Sequence, residues 1–351
     1  MAEHKKEGGG INSSICILMK TTLGIKQAHF DNIDCAKVIF AIFVVAIHTL
    51  QPFTDTLTSE ARHIVTALLS IAVPFFFVAS GFLLGNKLNS TDREGQLVYL
   101  KKWIYRIGRL YLLWTLIYLP YAIYGFSIED IGFIKSLAIY IRNILLVGEN
   151  FWSWPLWYLL AMFVAGCIIY LLLRCKVKRT CWYILAVLFA VSGVFIDELR
   201  ANDWEGINLY YSIFKTTRNG FFIGFPYIAL GVFISSHSVR LHQIGLFVLL
   251  MIGFAAQLFD IPLSNFVTIY ALFVFILGIN LPTRTDDLYM NMRLSSSIIY
   301  FTHMLWVGLL LLLFPTLLAI PLFVIAVTLS CLTAGVIIQY KEKGAVTLLF
   351  R

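Results

Sequence analysis

Apolar residues run along this chain in blocks of about twenty, and polar residues gather between the blocks. A helix that crosses a bilayer needs roughly 20 mostly apolar residues. Ten stretches meet or approach that length: residues 33–53, 64–86, 103–124, 154–174, 181–197, 212–235, 242–260, 264–281, 294–314 and 316–340. The pattern predicts an all-α, polytopic membrane protein with about ten transmembrane helices. The stretches at 154–174 and 294–314 are the clearest. The one at 212–235 is the least regular, because Gly220, Gly224, Pro226 and Gly231 interrupt it. Interruptions of that kind survive in a membrane only where protein or a water-lined cavity satisfies the backbone. Residues 129–147 do not span. They carry Lys135 and Arg142 among apolar residues at helical spacing, which predicts an amphipathic helix lying on the membrane surface.

Basic residues orient the bundle. Ten crossings put both termini on one side. Twenty-one Lys and Arg residues fall on that side, and six fall on the other: Arg62, Lys135, Arg142, Arg200, Lys215 and Arg218. Positive charge collects on cytoplasmic segments. Both termini are therefore expected in the cytoplasm of a bacterial-type plasma membrane, and the 129–147 helix on the outer surface. Residues 1–30 read as a flexible cytoplasmic leader, with Met19 as an alternative start. Residues 31–341 form the transmembrane domain, and 342–351 a short cytoplasmic tail.

Composition narrows the function classes. The chain is 60% hydrophobic and only 13% charged, against about 25% charged in soluble domains. The net charge of +8 fits contact with anionic lipid, and no nucleic-acid partner is expected. The six cysteines form no CxxC, so neither a disulfide framework nor a zinc site is expected. No Walker loop, GxGxxG, HExxH or GxSxG is present. No internal repeat is visible, which counts against an inverted-repeat transporter.

Ionisable side chains inside a bilayer are costly and mark function by default. Lys37 and His48 lie eleven residues apart in the first span. That spacing puts them on one helical face, about 16 Å apart along the axis. Asp34 is one turn before Lys37 and could pair with it. The alternatives are a structural histidine at 48 and a lysine at 37 that snorkels to the headgroups. In the second span Pro74 can kink the helix, and the small residues Ser80 and Gly81 invite a close neighbour. Arg106 and Arg109 sit one turn apart at the cytoplasmic end of the third span. They serve either topology or phosphate binding, for which guanidinium is well shaped. Trp154 and Trp157 belong to an aromatic cluster at 151–158, read as an interfacial belt or a cavity mouth. Lys215 and Arg218 are cations on the outer side, against the bias, which argues for a ligand or an acidic partner. His303, near mid-membrane in the ninth span, needs a partner.

These residues, taken in order, resemble the acyltransferase-3 family of membrane proteins. The family opens with Asp-x-x-Arg followed by His, and the chain has Asp34-Cys35-Ala36-Lys37 followed by His48. Phe76-Phe77-Val78-Ala79-Ser80-Gly81-Phe82 matches its Phe-Phe-x-x-Ser-Gly-Phe, and Arg106-Ile107-Gly108-Arg109 its Arg-x-x-Arg. Pro155-Leu156-Trp157-Tyr158-Leu159 and Ile299-Tyr300-Phe301-Thr302-His303 are also similar. The resemblance covers residues 30 to 340. Lys37 departs from it, since many members have Arg there. The segment from Thr217 to Pro226 is most similar to the membrane half of vancomycin-resistance serine racemases. Those carry a soluble racemase domain after it, and no racemase activity is expected of this chain.

The resemblance implies an O-acyltransferase that needs no bound cofactor. It would move an acyl group, most often acetyl, from cytosolic acyl-CoA to a hydroxyl of a cell-envelope glycan or similar acceptor. His48 is the implied general base, with Asp34 beside it in the catalytic set. Lys37, Arg106, Arg109 and Ser80 are the implied donor site. Arg218, Asn219, Trp157, Tyr300 and His303 are the implied acceptor site. Direct transfer and a covalent acyl-enzyme both fit. The competing expectation is a permease for a small molecule such as L-serine.

Overall fold

A computed structural model describes residues 30–237, 242–281, 286–340 and 349–350. The expected leader apart from Phe30, and the expected tail apart from Leu349 and Phe350, lie outside the described residues. So do Cys16, Arg240, Arg284, Lys341 and Lys343. Every contact described below belongs to the unit from Asn32 onward.

Every regular element among the described residues is helical. Helix α1 (Asp31–Thr49) is followed by α2 (Ser59–Leu69) and α3 (Ala72–Asn89). Helices α4 (Arg93–Ile117), α5 (Leu119–Glu129) and α6 (Phe133–Arg142) come next. Helix α7 (Trp157–Arg174) is entered by a single 3₁₀ turn, Trp154–Leu156. Helices α8 (Arg179–Ala201), α9 (Asn208–Phe214) and α10 (Phe225–Ser236) lead to α11 (Gln243–Leu258) and α12 (Ser264–Leu277). Long α13 (Asp286–Leu313) and α14 (Ala319–Gln339) close the order.

Among the described residues, six helical stretches are long and apolar enough to cross a membrane: α1, α2 with α3, α7 with its turn, α8, α13 and α14. Helices α4 and α5 make a bent seventh, and Gly220–Ser236, Gln243–Leu258 and Ser264–Leu277 are shorter apolar helices. The stretches read from the sequence coincide largely with helix, although the one at 212–235 runs from the end of α9 through the non-helical Lys215–Asn219 before reaching α10. The protein is a multi-pass membrane protein. Helices α8 and α14 bury little of their surface, while α2–α3 and α13 bury most of theirs.

Three details differ from the sequence reading. The stretch at 103–124 is not one straight span. Helix α4 begins at Arg93, and α5 turns away from it by 52°. The turn falls at Tyr118, just before Pro120. Proline has no N–H to donate, and its ring collides with the carbonyl four residues back. In the second span, Pro74 does not kink a continuous helix. The break falls earlier, at Ser70 and Ile71, and Pro74 occupies the first turn of α3, where the N–H is an orphan anyway. Gln257 of α11 donates to the Ala67 carbonyl (3.1 Å) and the Ser70 hydroxyl (2.6 Å), satisfying the break. The amphipathic helix is shorter than 129–147. Asp130 and Gly132 have positive φ and separate it from α5, and α6 leaves none of its residues buried.

Close packing of α3 on α10 explains the glycines. A Cβ at Gly81 would run into the Ile228 carbonyl, and one at Gly231 into that of Val78. Only glycine allows backbones to approach so nearly. Polar side chains then tie helix ends together. Arg93 donates to the carbonyls of Leu173 (2.9 Å) and Arg174 (3.1 Å). Arg179 donates to Asn89 and to Ser236. The end of α3, the start of α4, the end of α7, the start of α8 and the end of α10 therefore meet at one end of the bundle.

Candidate active site

The first span places its polar residues on one unbroken helix, α1. At its start, Asp34 is 2% exposed and takes Arg293 of α13 on both carboxylate oxygens, Nε at 3.0 and 3.1 Å and Nη2 at 2.6 Å. Lys37 Nζ stands 3.5 Å from the same carboxylate. The expected Asp34–Lys37 pair is present, but a bidentate arginine is the stronger partner. Arg293 was legible in the sequence only as one more inner-side cation, because nothing local announces a partner 259 residues away. Asp34 is thereby spent on joining α1 to α13. It lies fourteen residues before His48, about 21 Å along the helix, so the two are not brought together.

His48 is half-buried near the other end of α1. Its ring is sandwiched between Trp154 (centroids 5.7 Å apart) and His303 of α13 (5.5 Å, planes 27° apart). Trp152 stacks on the far side of Trp154 at 6.1 Å. His303 is fully buried. Its Nδ1 lies 3.1 Å from the Ile299 carbonyl oxygen. A carbonyl only accepts, so Nδ1 carries the hydrogen and the neutral ring's lone pair is on Nε2. That nitrogen is buried with no hydrogen-bond partner among the described residues. Leaving a buried acceptor unmade costs about 1–3 kcal/mol.

Tyr300 lies 6.2 Å from His303 and donates from its hydroxyl to the Pro155 carbonyl at 2.7 Å, fixing the turn that aims Trp154. Tyr158 packs on Tyr300 at 5.6 Å, and its hydroxyl is 3.2 Å from Ser80. Ser80 thus joins the aromatic wall below the histidines. Trp157 touches Phe77 at 5.9 Å and carries the Arg218 guanidinium 5.9 Å above its ring. The Arg218 charge reaches both His48 and Glu149. Burial pushes the Glu149 carboxyl above its ordinary value, against the pull of Arg218 and Lys215. Burial, then the nearby Arg142, pushes the Lys215 amine down, while Glu149 and Glu129 oppose that. Glu149 and Glu129 are the acidic groups whose charge Lys215 feels, but neither forms an ion pair with Lys215 or Arg218 among the described residues. Asn219 turns elsewhere. Its Oδ1 accepts from the backbone of Phe221 (2.9 Å) and Phe222 (3.2 Å), and its Nδ2 donates to Tyr210. It caps the irregular π turn, Gly220–Gly224, that starts α10.

Arg106 is exposed and Arg109 half-buried on α4. Further along the same helix, Trp114 stacks on Phe301 of α13 at 4.9 Å. Trp114 Nε1 donates to the Leu349 carbonyl at 2.7 Å, and Phe350 is buried against Trp114 and Phe301. The described C-terminal residues therefore stand between α4 and α13.

A family model described as an acyltransferase domain matches residues 30–339, nearly the whole described chain. The chain belongs to the acyltransferase-3 family. Curated relatives are similar over part of it. An amino-acid racemase of Enterococcus faecalis is 31% identical over 216 residues, 58% of this chain and 29% of the relative. A serine/alanine racemase of Enterococcus gallinarum is 29% identical over 224 residues, 59% of this chain and 29% of the relative. A second amino-acid racemase of E. faecalis is 26% identical over 273 residues, 75% of this chain and 33% of the relative. The chain thus spans about a third of the length of these relatives. The likeness to the racemase proteins expected from the span-six motif is present. No solved structure matches.

Proposed function

We propose that this acyltransferase moves an acetyl group from cytosolic acetyl-CoA to a hydroxyl of a cell-envelope glycan. The observation that carries the reading is the half-exposed His48, held between Trp154 and His303 beside Arg218. His48 takes the proton of the acceptor hydroxyl. The oxygen attacks the acetyl carbonyl carbon, the carbon–sulfur bond breaks, and the coenzyme A sulfur leaves with the proton from His48. A general base of this kind contributes about 10²–10⁴-fold. Arg106 and Arg109 meet the phosphates of the donor, with Lys37 adding positive charge at the same end. The exposed Trp154 and the part-buried Trp157 border the acceptor with their ring edges, and Arg218 holds a polar group of it. Ten spans with both termini in the cytoplasm of the plasma membrane complete this reading, supported by the segregation of Lys and Arg.

Labelled acetyl-CoA supplied to membranes containing the full chain is the test. Label should enter the glycan fraction, mass spectrometry should show added acetyl groups, and His48→Ala should stop both. Unchanged labelling by His48→Ala overturns the role of His48. A second reading, passage of an amino acid such as serine, draws support from the racemase relatives. Uptake of labelled serine no greater than in cells without the chain rejects it.

A further inference from the structure

Two cavities lie between α8, α10 and α12, of about 190 Å³ and about 360 Å³, and Ala190, Leu263 and Phe266 line both. They are two lengths of one groove. The smaller follows α8 from Ala190 to Asp197 and the π turn at Phe222 and Ile223. The larger follows α8 back from Ala190 to Tyr183, and α10 from Pro226 to Phe233. Residue numbers fall along one wall as they rise along the other, so the two helices are antiparallel and the groove runs straight between them. Tyr183 and Phe233 meet edge to face at 5.3 Å and close its far end. Tyr227 stacks on Phe266 at 4.1 Å, joining the α10 and α12 walls. Val187 is 60% exposed and Val267 40%. The groove therefore opens sideways, where hydrocarbon surrounds a spanning helix.

Its chemistry changes along its length. The only polar side-chain group on the larger cavity is the Tyr183 hydroxyl, at the closed end. The smaller cavity carries Asp197, Thr217, Tyr227 and Asn265. Asp197 accepts from Tyr211 at 2.5 Å and from Thr217 at 2.7 Å. Tyr227 donates to Asn265 Oδ1 at 2.9 Å, and Asn265 Nδ2 donates to Ser70 at 3.3 Å. The hydroxyl hydrogens of the wall are thus used, and what it offers a ligand is acceptor capacity. An ionised carboxylate has about four acceptor positions, and two hydroxyl hydrogens reach Asp197. The nearest cation along the helix does not take the rest. Arg200, one turn on, lies 4.0 Å over the Tyr211 ring, and Asp197 forms no ion pair among the described residues. Asp197 is also the one charged residue on the groove wall.

The length fits a lipid. Tyr183 and Asp197 are fourteen residues apart on α8, about 21 Å of helix. One leaflet holds about 15 Å of hydrocarbon, which leaves about one helical turn for a head group. We propose that the groove binds a phospholipid with a primary-amine head, of the phosphatidylethanolamine kind. One acyl chain lies between α8 and α10 as far as Tyr183, and the ammonium donates to Asp197. The head makes the selection. Lipid tails are as apolar as the wall, so a chain gains little by leaving the bilayer for the groove. An ammonium gains charge-assisted hydrogen bonds to the carboxylate. A glycerol head brings no positive charge, and a choline head has no N–H to donate. The site is separate from the rings around His48: Thr217 turns to Asp197, while its neighbour Arg218 turns to Trp157.

The test uses the full chain in vesicles of phosphatidylcholine and phosphatidylglycerol, with a trace of a probe lipid carrying a diazirine near the end of one acyl chain. Three probes differ only in the head: ethanolamine, glycerol or choline. Illumination followed by peptide mass spectrometry reads where each label lands. The ethanolamine probe should label peptides 183–190 and 226–233 at least about tenfold more than the other two, the discrimination expected of a hydrogen bond to a charged group. Asp197→Asn should bring the ethanolamine probe down to the level of the choline probe. Ala190→Trp, which fills the groove where the two cavities join, should stop labelling of those peptides by all three and leave labelling of α14 as before. Equal labelling by the three probes in the unaltered protein overturns the proposal, whatever the variants do. Label spread alike over α8 and α14, the pattern of bulk lipid, overturns it too. So does a groove that no probe enters because a second copy of the chain covers it.

Discussion

The two ends of α1 solve the same problem in opposite ways. At the start of the helix, buried Asp34 is saturated by Arg293 on both oxygens and approached by Lys37. About four turns later, His48 and His303 meet as rings, and a buried nitrogen is left without a hydrogen-bond partner among the described residues. The first end is finished structure. Asp34 and Arg293 are consumed in joining α1 to α13, and nothing remains to bind a ligand with Asp34. In a membrane, where unsatisfied polar atoms are costly, that difference separates charges that hold the bundle from the residues that the proposed function assigns to the substrate.

The contrast can be broken by substitution. The largest effect is expected at the open end. His48→Ala should lower acyl transfer about 10²–10⁴-fold and leave the thermal midpoint in detergent near that of the parent. A matching loss of midpoint would mean that both ends are structural. Next, Arg293→Ala should destabilise by about 3 kcal/mol, because it strands a buried carboxylate. Read by thermal unfolding, the loss should exceed any change in the rate per folded molecule. Lys37→Met should cost less, about 1 kcal/mol, since Asp34 keeps its bidentate arginine. An equal loss from both would deny the ranking. Asn219→Ala should cost about 1 kcal/mol, the worth of an N-cap.

The smallest effect concerns Glu149. Its raised carboxyl means that the folded protein binds a proton more tightly than the unfolded chain. Stability should therefore be greater at low pH and fall as pH rises through the raised value. Glu149→Gln should flatten that decline in unfolding measured from pH 4 to 8, and an unaltered slope would show that the outer cations have cancelled the burial cost.

Much of this protein was legible before any coordinates. The apolar blocks predicted the long helices because a bilayer demands length and hydrophobicity from the local sequence alone. The motif residues His48, Arg106, Arg109, Trp157, Tyr300 and His303 were legible by their spacing and order. The bend at Tyr118 was not, although Pro120 was its local sign, because an unbroken apolar run outweighed one proline. The partner of Asp34 was hidden for a different reason. Sequence distance carries no information about which of many inner-side cations α1 will meet.

The sequence by itself determined that the chain enters a membrane, where its helices lie and which side chains are too polar to be there by accident. Those are properties of short segments in a uniform apolar medium, so periodicity and composition are enough. Only the tertiary structure decided how the polar side chains were divided. It spent Asp34 on Arg293 and Asn219 on a helix cap, moved Ser80 to the Tyr158 wall, and brought His48 against His303 and Trp154. Those outcomes depend on how α1, α7 and α13 pack, and packing is a property of surfaces that meet only after the chain has folded.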